Sequence, residues 1–307
     1  MINFILKHKI FKKNPPVLFD LGAGGDAKTD WNDFYKLSHI YKLDANDNIE
    51  KNYNENKQTI INEIIFNKHT KLNFNLTKSI FCSSLLSPNY KELQNWTFKS
   101  KFDLKKKIKI KTKTFSQIVS EKRIKNIDWI KFDLQGIDLK IFKSIPPSIQ
   151  KKILIVEFEP GLYNFYKNED KLSEILQYME KDYSIEDFVF SSSLKGNYKF
   201  FKTFNFLQKK SFNLINKKSK FYTNISFIKK NNLINKKDLR SILLILAILV
   251  LKKRYIEALE LISKNKRIDP ILNDIEKKIF FKIKFGIILY FVSRPYYLIK
   301  RILKLIK

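Results

Sequence analysis

The sequence is poor in the features that accompany secretion or membrane insertion. It contains a single cysteine, Cys82, which can form neither an intramolecular disulfide nor a thiolate zinc site. The longest apolar runs, 242–251 and 285–292, are well short of the roughly 20 residues that cross a bilayer. Only five residues separate Met1 from the first lysine, which is too few for the core of a signal peptide. We therefore expect a cytoplasmic protein.

Arginine and acidic residues are also scarce, although the chain is strongly basic. Of its 60 basic residues only six are arginine, and 30 acidic residues leave a formal net charge of +30. Specific contacts with nucleic acids favour the arginine guanidinium. The excess of lysine accompanies an excess of asparagine, isoleucine and phenylalanine, which suggests an A+T-rich coding sequence. We expect no specific nucleic-acid partner, although the positive charge raises non-specific affinity for anionic surfaces.

Apolar residues, by contrast, are abundant and regularly placed. The 307 residues are 44% hydrophobic, which suffices for one domain of roughly 200–250 residues with an appendage and excludes global disorder. Strand-like and helix-like segments alternate, which predicts an α/β fold with a mostly parallel central sheet. The predicted strands are Val17–Leu21, Tyr41–Leu43, Thr59–Phe66, Lys71–Leu76, Ile108–Thr112, Asp128–Leu134, Ile153–Phe158 and Phe221–Ile228, and the predicted helices are Phe115–Glu121, Asp138–Ser144 and Leu172–Tyr183.

The pattern changes near Asn231, where we place a domain boundary. Residues 1–230 carry all the predicted strands, whereas residues 231–307 form a helical extension in which Asp238–Ser263 reads as one or two helices. The end of this extension, 277–307, holds nine basic residues, no acidic residue and several aromatic ones. Such a helix can lie in an anionic membrane interface, or it can pack on the rest of the protein or on a second subunit. The oligomeric state is open.

A cluster of glycines follows the first predicted strand. Three of the chain's seven glycines, Gly22, Gly24 and Gly25, lie within four residues, and glycine there lets the backbone approach a ligand and adopt a positive φ. Asp20 precedes the cluster on the strand, where a carboxylate can accept hydrogen bonds from loop amides or bind a cationic group. Asp44 stands at the tip of the second strand, where an acidic residue can bind both hydroxyls of a ribose.

This glycine turn has more than one interpretation. It can be an ordinary connection between a strand and a helix. Gly22, Gly24 and Ala27 also satisfy the G-x-G-x-x-A fingerprint of dinucleotide-binding folds, but the following stretch, DAKTDWNDF, is polar where the helix of such a fold packs on its sheet. An acidic residue before the first glycine suits S-adenosylmethionine, which carries an ammonium group and a sulfonium. We therefore favour S-adenosylmethionine over a nicotinamide dinucleotide as the cofactor.

Four motifs, taken in order along the chain, resemble those of FkbM-type methyltransferases. They are LFDLGAGG at 18–25 followed by Trp31, SSLLSPN at 83–89, DWIKFDLQGID at 128–138, and VEFEP at 156–160 followed by Tyr163. The matches span about residues 15–230. The sequence departs from the family pattern around Asp26, where a third glycine is common, at Asp44, where Glu-Pro is usual, and at Asp138, where glutamate is usual.

The resemblance implies a class I, Rossmann-like methyltransferase that uses S-adenosylmethionine and usually acts on a hydroxyl oxygen. By this analogy Asp20, Gly22 and Gly24 would line the amino acid end of the cofactor, and Asp44 would bind its ribose. The loop that contains Ser84 would lie near the mouth of the active site, with Ser84 among the cofactor contacts.

Carboxylates are the best candidates for the catalytic residues. Methyl transfer to an alcohol needs an acceptor oxygen held opposite the sulfur and a base for its proton. Asp133 ends its predicted strand at the edge where open α/β sheets bind ligands, and Lys131 shares its face. Glu157 and Glu159 share a face on the next strand. We predict that Lys131, Asp133 and one of these glutamates form a charged cluster over the methyl group; alternatively, Lys131 and Glu157 form a buried structural pair. No spacing among these residues demands a metal ion.

The sequence therefore predicts an O-methyltransferase. By family analogy its acceptor is a sugar hydroxyl in glycan or polysaccharide assembly, with a polyketide-like or lipid hydroxyl as the alternative. Membrane contact through residues 277–307 would suit an acceptor carried on a lipid. Two other functions compete with this one: an NAD(P)-dependent oxidoreductase, and a catalytically inactive scaffold that keeps the fold.

Overall fold

A computed structural model describes residues 1–24, 34, 36–44, 58–235 and 238–286. The chain divides into two compact units, one formed by Pro15–Leu233 and the other by Met1–Asn14 together with Ile234–Lys307. The sheet domain predicted from the sequence includes residues 1–14, whereas this division groups them with the second unit. Several residues named above lie outside the described ranges, namely Gly25, Asp26, Ala27, Trp31 and 287–307.

The described chain contains nine strands. They are β1 Val17–Leu21, β2 His39–Leu43, β3 Gln58–Ile61, β4 Lys71–Thr77, β5 Leu104–Lys111, β6 Trp129–Phe132, β7 Ile155–Phe158, β8 Tyr183–Ser193 and β9 Ser219–Lys229. The helices are α1 Ile2–Leu6, α2 Lys9–Lys13, α3 Tyr90–Leu93, α4 Phe115–Glu121, α5 Asp138–Ser144, α6 Pro147–Gln150, α7 Leu172–Met179, α8 Tyr198–Lys202, α9 Phe206–Ile215, α10 Leu239–Leu251 and α11 Tyr255–Asn265. Residues 271–286 are also helical.

Seven of these strands form one sheet in the order β3-β2-β1-β6-β7-β9-β8. The first five in this order run parallel, whereas β9 runs antiparallel to both β7 and β8. The predicted α/β fold with a mostly parallel sheet is thus confirmed and is consistent with a Rossmann-like methyltransferase. Strand order reverses between β1 and β6, and open α/β sheets bind ligands outside the carboxyl ends of their strands at such a point.

Strands β4 and β5 stand apart from this sheet and form a separate two-stranded antiparallel pair. Their antiparallel register places Phe74 opposite Ile108 and Leu72 opposite Ile110. Side chains alternate between the two faces of a strand, so these apolar residues share one face. The other face carries lysines, among them the facing pair Lys71 and Lys111.

The core of the larger unit surrounds the central strands. All four residues of β7 are buried, as expected for a strand covered on both faces. Helix α5 packs on this sheet through Phe142, whose ring lies edge-on to Phe132 of β6 at 5.8 Å and to Phe158 of β7 at 5.7 Å. This packing fixes the N-terminus of α5 beside the carboxyl end of β6.

Two predicted elements end at least four residues earlier than expected, and strand β8 was not predicted. The third strand ends at Ile61 rather than Phe66, because Asn62 and Glu63 interrupt it and Ile65 makes only an isolated bridge to Lys113. Helix α7 ends at Met179, and Tyr183 begins the unpredicted strand β8. That strand lies at the edge of the sheet and is mostly unburied, so its apolar pattern is weak.

The smaller unit is centred on α10. This helix is apolar on all sides and nine of its residues, Ile242–Val250, are buried, as expected for a helix enclosed by protein. Helix α1 packs against it with Ile5 and Leu6 buried, which explains why the first fourteen residues group with this unit. In the described part of the chain, no helix is both long enough and apolar enough to span a membrane.

Candidate active site

The glycine turn after β1 approaches β6 very closely. Gly22 has a φ of +85°, and a Cβ atom added to it would lie 2.1 Å from the carbonyl oxygen of Asp133. Its amide donates to the carbonyl oxygen of Leu43 at 2.8 Å, so the turn is also hydrogen-bonded to the end of β2. Only glycine combines this backbone conformation with such a contact. The turn therefore brings the carboxyl ends of three strands together.

A row of alternating charges crosses four neighbouring strands at this edge. The register pairs Lys42 of β2 with Asp20 of β1, Asp20 with Lys131 of β6, and Lys131 with Glu157 of β7. Residues paired in this way point to the same face of the sheet. Burial of charged groups is costly unless they are compensated, and the alternation of sign supplies that compensation.

Lys131 is the centre of a cluster of carboxylates. Its Nζ lies 3.6 Å from Oδ2 of Asp133, 3.8 Å from Oδ1 of Asp20 and 4.0 Å from Oε1 of Glu159. Burial by itself lowers the pKa of Lys131, but Asp20, Asp133 and Glu159 outweigh it, and the net pKa is raised. The ammonium group thus stays charged. Burial raises the pKa of Asp20, which Lys131 only partly offsets.

The structure separates the two candidate glutamates. Glu159 lies in the cavity described below and contacts Lys131, whereas Glu157 is 4% exposed and accepts a hydrogen bond from the indole of Trp129 at 3.0 Å. Glu157 is not among the described residues that line the cavity. The alternative prediction was a buried pair of Lys131 and Glu157. Glu157 does lie opposite Lys131 in the register of β6 and β7, but its described hydrogen bond is to Trp129.

Asp133 follows β6 directly and is held by a chain of hydrogen bonds. Nε2 of Gln135 donates to Oδ1 of Asp133 at 2.7 Å, and the hydroxyl of Tyr166 lies 2.9 Å from Oε1 of Gln135. Gln135 has a φ of +55° and Gly136 a φ of +100°. Such a conformation is strained for glutamine, and strain of this kind persists where the surroundings enforce it.

The loop that carries Gln135 is fixed from two further directions. Oδ1 of Asp138 accepts from the amide of Leu134 at 2.7 Å. The hydroxyl of Ser84 donates to the carbonyl oxygen of Gln135 at 2.8 Å and accepts from the amide of Leu86 at 3.0 Å. Ser84 is 1% exposed and does not belong to the described cavity lining. The described hydrogen bonds of the Ser84 hydroxyl hold the loop in position. They do not support the predicted direct contact of Ser84 with a cofactor.

A cavity of about 1240 Å³ opens at this edge of the sheet. Ordinary small-molecule sites occupy roughly 300–1,000 Å³, so the volume can hold two ligands. The charged residues of its lining are Asp20, Asp44, Glu63, Lys101, Lys131, Asp133, Glu159 and Glu169, and Gly22 and Gly24 also belong to the lining. The apolar part comes from the β4–β5 pair and from an aromatic cluster, with Phe74, Leu76, Ile108, Ile110, Phe98, Phe102, Phe165 and Phe221.

Glu169 is a lining residue that the sequence analysis missed. Its Oε2 accepts from the amide of Tyr166 at 3.3 Å, and burial raises its pKa to about 8 despite backbone hydrogen bonds from Tyr166 and Phe165. It comes from the irregular segment between β7 and α7, and no motif or strand end in the sequence marked it. A carboxyl with such a pKa can exchange a proton near neutral pH.

The raised pKa of Glu169 predicts a specific pH dependence of stability. Because the folded state binds this proton more tightly than the unfolded chain, the contribution is fully present below about pH 4.5 and is lost as the pH rises to about 8. Glu169→Gln should remove that loss. We expect the Tm of the variant to exceed that of the wild type increasingly from pH 5 to pH 9 in a thermal melt. Parallel Tm curves would show that the pKa of Glu169 is ordinary.

Comparison with known proteins identifies the family. A family model described as the methyltransferase FkbM domain matches residues 20–187. The chain belongs to the FkbM methyltransferase family. In this FkbM-family protein the match runs from the end of β1 to the beginning of β8 and includes every polar lining residue named above. The chain matches no curated protein and no solved structure.

The sequence-derived site of this FkbM-family protein is spatially compact. Asp20, Gly22, Gly24 and Asp44 line one cavity together with Lys131, Asp133 and Glu159. Among the described residues, no group of three or more His, Cys, Asp or Glu side chains could hold a metal ion. The arrangement therefore offers a buried anionic group at the glycine turn and a lysine-centred carboxylate cluster beside it.

Proposed function

We propose that this protein transfers a methyl group from S-adenosylmethionine to a hydroxyl oxygen, and that the acceptor is a sugar of a glycan or polysaccharide intermediate. The observation that carries the proposal is the buried carboxylate of Asp20, one oxygen of which has an ion-pair partner but no hydrogen bond among the described residues. Its Oδ1 is buried and has no hydrogen-bond partner in the described chain, and the nearest described cation, Lys131, lies 3.8 Å away. A buried polar atom of this kind is costly unless a ligand satisfies it.

The residues at the glycine turn fit the proposed cofactor. Oδ1 of Asp20 can accept a hydrogen bond from an ammonium group, and the backbone of Gly22 and Gly24 lines the cavity next to it. Asp44 lines the same cavity, where its carboxylate can accept from both hydroxyls of a ribose. When bound, S-adenosylmethionine supplies the electrophilic methyl group.

The carboxylates around Lys131 are suited to receive the proton of an alcohol. Asp133 is fixed by Gln135 through Oδ1, whereas its Oδ2 faces Lys131 at 3.6 Å. A carboxylate held in one orientation can act as a general base when the acceptor hydroxyl lies within hydrogen-bond reach. Lys131 offsets the negative charge of the cluster, and Glu159 can orient the acceptor. No histidine belongs to the described lining.

The apolar wall and the volume of the cavity support an acceptor larger than the methylated sugar alone. Aromatic rings can pack on the C–H face of a sugar, and Phe98, Phe165 and Phe221 supply such rings. The wall also accommodates an aliphatic or aromatic group that carries the sugar. The motif resemblance supports O-methylation, since the family usually acts on hydroxyl oxygens.

Ligand-induced thermal shifts test the cofactor. A ligand that binds only the folded state stabilises it by RT ln(1 + [L]/Kd). We expect S-adenosylmethionine and S-adenosylhomocysteine to raise the Tm and NAD(H) to leave it unchanged. A shift with NAD(H) alone would favour an oxidoreductase. The absence of any shift would favour an inactive scaffold.

Asp44→Ala should weaken the binding of S-adenosylmethionine by roughly 10- to 100-fold, because it removes two hydrogen bonds to a charged acceptor. Isothermal titration calorimetry measures the affinity. Glu63→Ala is the matched control, since Glu63 also lines the cavity but forms an ion pair with Lys113 at 2.8 Å. Equal affinities of wild type and Asp44→Ala would remove Asp44 from the cofactor site.

A further inference from the structure

The connection between β8 and β9 exposes an unusual amount of apolar surface. We call residues 196–220, which include α8, α9 and the first two residues of β9, the α8–α9 segment. None of the residues in either helix is buried, although both helices are rich in phenylalanine, leucine and isoleucine. The exposed fraction is 77% for Phe206, 70% for Leu207, and 78% for both Leu214 and Ile215. Short helices with so little burial are marginal in water.

The two helices nevertheless pack on each other in a defined way. The ring of Phe204, between them, lies 4.9 Å from Phe200, 5.9 Å from Phe201 and 4.8 Å from Phe212 of α9. The contact of Phe212 with this cluster holds α9 in place. Phe206 and Leu214 lie eight residues apart on another side of the same helix, and they remain in water.

The charge of the segment is of one sign. Residues 196–220 contain seven lysines and neither an acidic residue nor an arginine. The lysines lie among the apolar residues, with Lys209 and Lys210 in α9 and Lys199 and Lys202 in α8. Long lysine side chains can place their ammonium groups at lipid headgroups while neighbouring apolar side chains enter the acyl region.

We infer that the α8–α9 segment docks the protein on an anionic lipid bilayer, with Phe206, Leu207, Leu214 and Ile215 inserted and the lysines at the headgroups. A second copy of the chain would bring seven lysines against seven lysines on a protein whose net charge is already +30. A single-stranded nucleic acid needs aromatic platforms for its bases, but three of the four most exposed apolar residues of the segment are aliphatic.

The position of the segment connects this surface to the cavity. Ser192 and Ser193, just before it, and Phe221 and Tyr222, just after it, all line the cavity. Docking would therefore hold the larger unit itself at the bilayer, where an acceptor attached to a lipid could reach the site. The sequence analysis placed membrane contact in residues 277–307 instead. The lipid contact proposed here does not depend on the methyl-transfer reaction.

Vesicle co-sedimentation of the full chain tests the inference. We expect binding to phosphatidylcholine vesicles that contain about one third phosphatidylglycerol, at least about 10-fold weaker binding to pure phosphatidylcholine, and weakening by salt. Leu214→Asp should reduce binding to the anionic vesicles about 10- to 100-fold, because a side chain that would be inserted becomes charged. Circular dichroism and the Tm verify that the variant folds.

Ile256→Asp is the matched control, since Ile256 in α11 is 82% exposed and the substitution changes the net charge equally. It should bind vesicles as the wild type does. Equal losses in both variants, or no vesicle binding by the wild type, would overturn the inference. Two further results would overturn it: a dimer in sedimentation velocity, or binding of single-stranded RNA in fluorescence anisotropy, that Leu214→Asp abolishes. In either case a partner other than a lipid bilayer would cover the segment.

Discussion

Gly22→Ala should abolish measurable binding of S-adenosylmethionine and lower the Tm by about 10 °C, which corresponds to roughly 3–5 kcal/mol. The added methyl group would lie 2.1 Å from the carbonyl oxygen and 2.8 Å from the carbonyl carbon of Asp133. These are backbone atoms, so no side-chain rotation relieves the contact. The φ of +85° is also unfavourable for alanine. The carboxyl ends of β1 and β6 would have to separate, and the site lies between them.

Gly196→Ala is the control for this substitution. No atom lies within 4 Å of the position that its Cβ would occupy, so the same chemical change should leave both the Tm and the cofactor affinity close to those of the wild type. Thermal melts and calorimetric titration provide the two measurements. A Gly22→Ala protein with the stability and affinity of the wild type would show that the turn does not have the close approach described here.

Asp133→Asn should reduce kcat by about 10²- to 10⁴-fold while changing the affinity for S-adenosylmethionine by less than about threefold. Asparagine keeps an oxygen that can accept the hydrogen bond from Gln135, so the loop can retain its conformation. What the variant loses is the negative charge and the ability to take the proton of an alcohol. The loss therefore falls on turnover and spares binding.

The measurement uses an acceptor selected by screening sugar and lipid hydroxyls for formation of S-adenosylhomocysteine. Glu159→Gln is the comparison, because Glu159 contacts the same lysine at 4.0 Å and the substitution removes the same charge. If Glu159→Gln impairs turnover more than Asp133→Asn does, the base is Glu159. Unchanged turnover in Asp133→Asn would remove Asp133 from the catalytic residues.

The part of the site on parallel strands could be predicted from the sequence. Asp20, Lys131 and Glu159 lie on β1, on β6 and just beyond β7, and the carboxyl ends of adjacent parallel strands meet at one edge. Alternation along each strand then selects the face. The same local rules gave the bounds of α5, Asp138–Ser144, correctly.

The part of the site on loops could not be predicted in this way. Glu169 and Tyr166 reach the cavity through the irregular chain after β7, whose path depends on tertiary packing. The motif predicted that Ser84 contacts the cofactor, but the hydroxyl of Ser84 forms its hydrogen bonds with the backbone of Gln135 and Leu86. A motif identifies which residues matter without stating which atom each of them contacts. The grouping of residues 1–14 with α10 likewise depends on contacts that are remote in sequence.

That grouping bears on how the chain is synthesised. Helix α10 buries nine of its residues within a unit whose first part precedes Pro15 and whose remainder follows Leu233. Residues 1–14 leave the ribosome more than two hundred residues before α10, the helix against which α1 packs. The side chains of Ile5, Leu6 and Phe11, which are buried in the folded protein, therefore stay exposed while the sheet is synthesised. Domains fold as units during synthesis, and the smaller unit can fold only after the whole of the larger unit has left the ribosome.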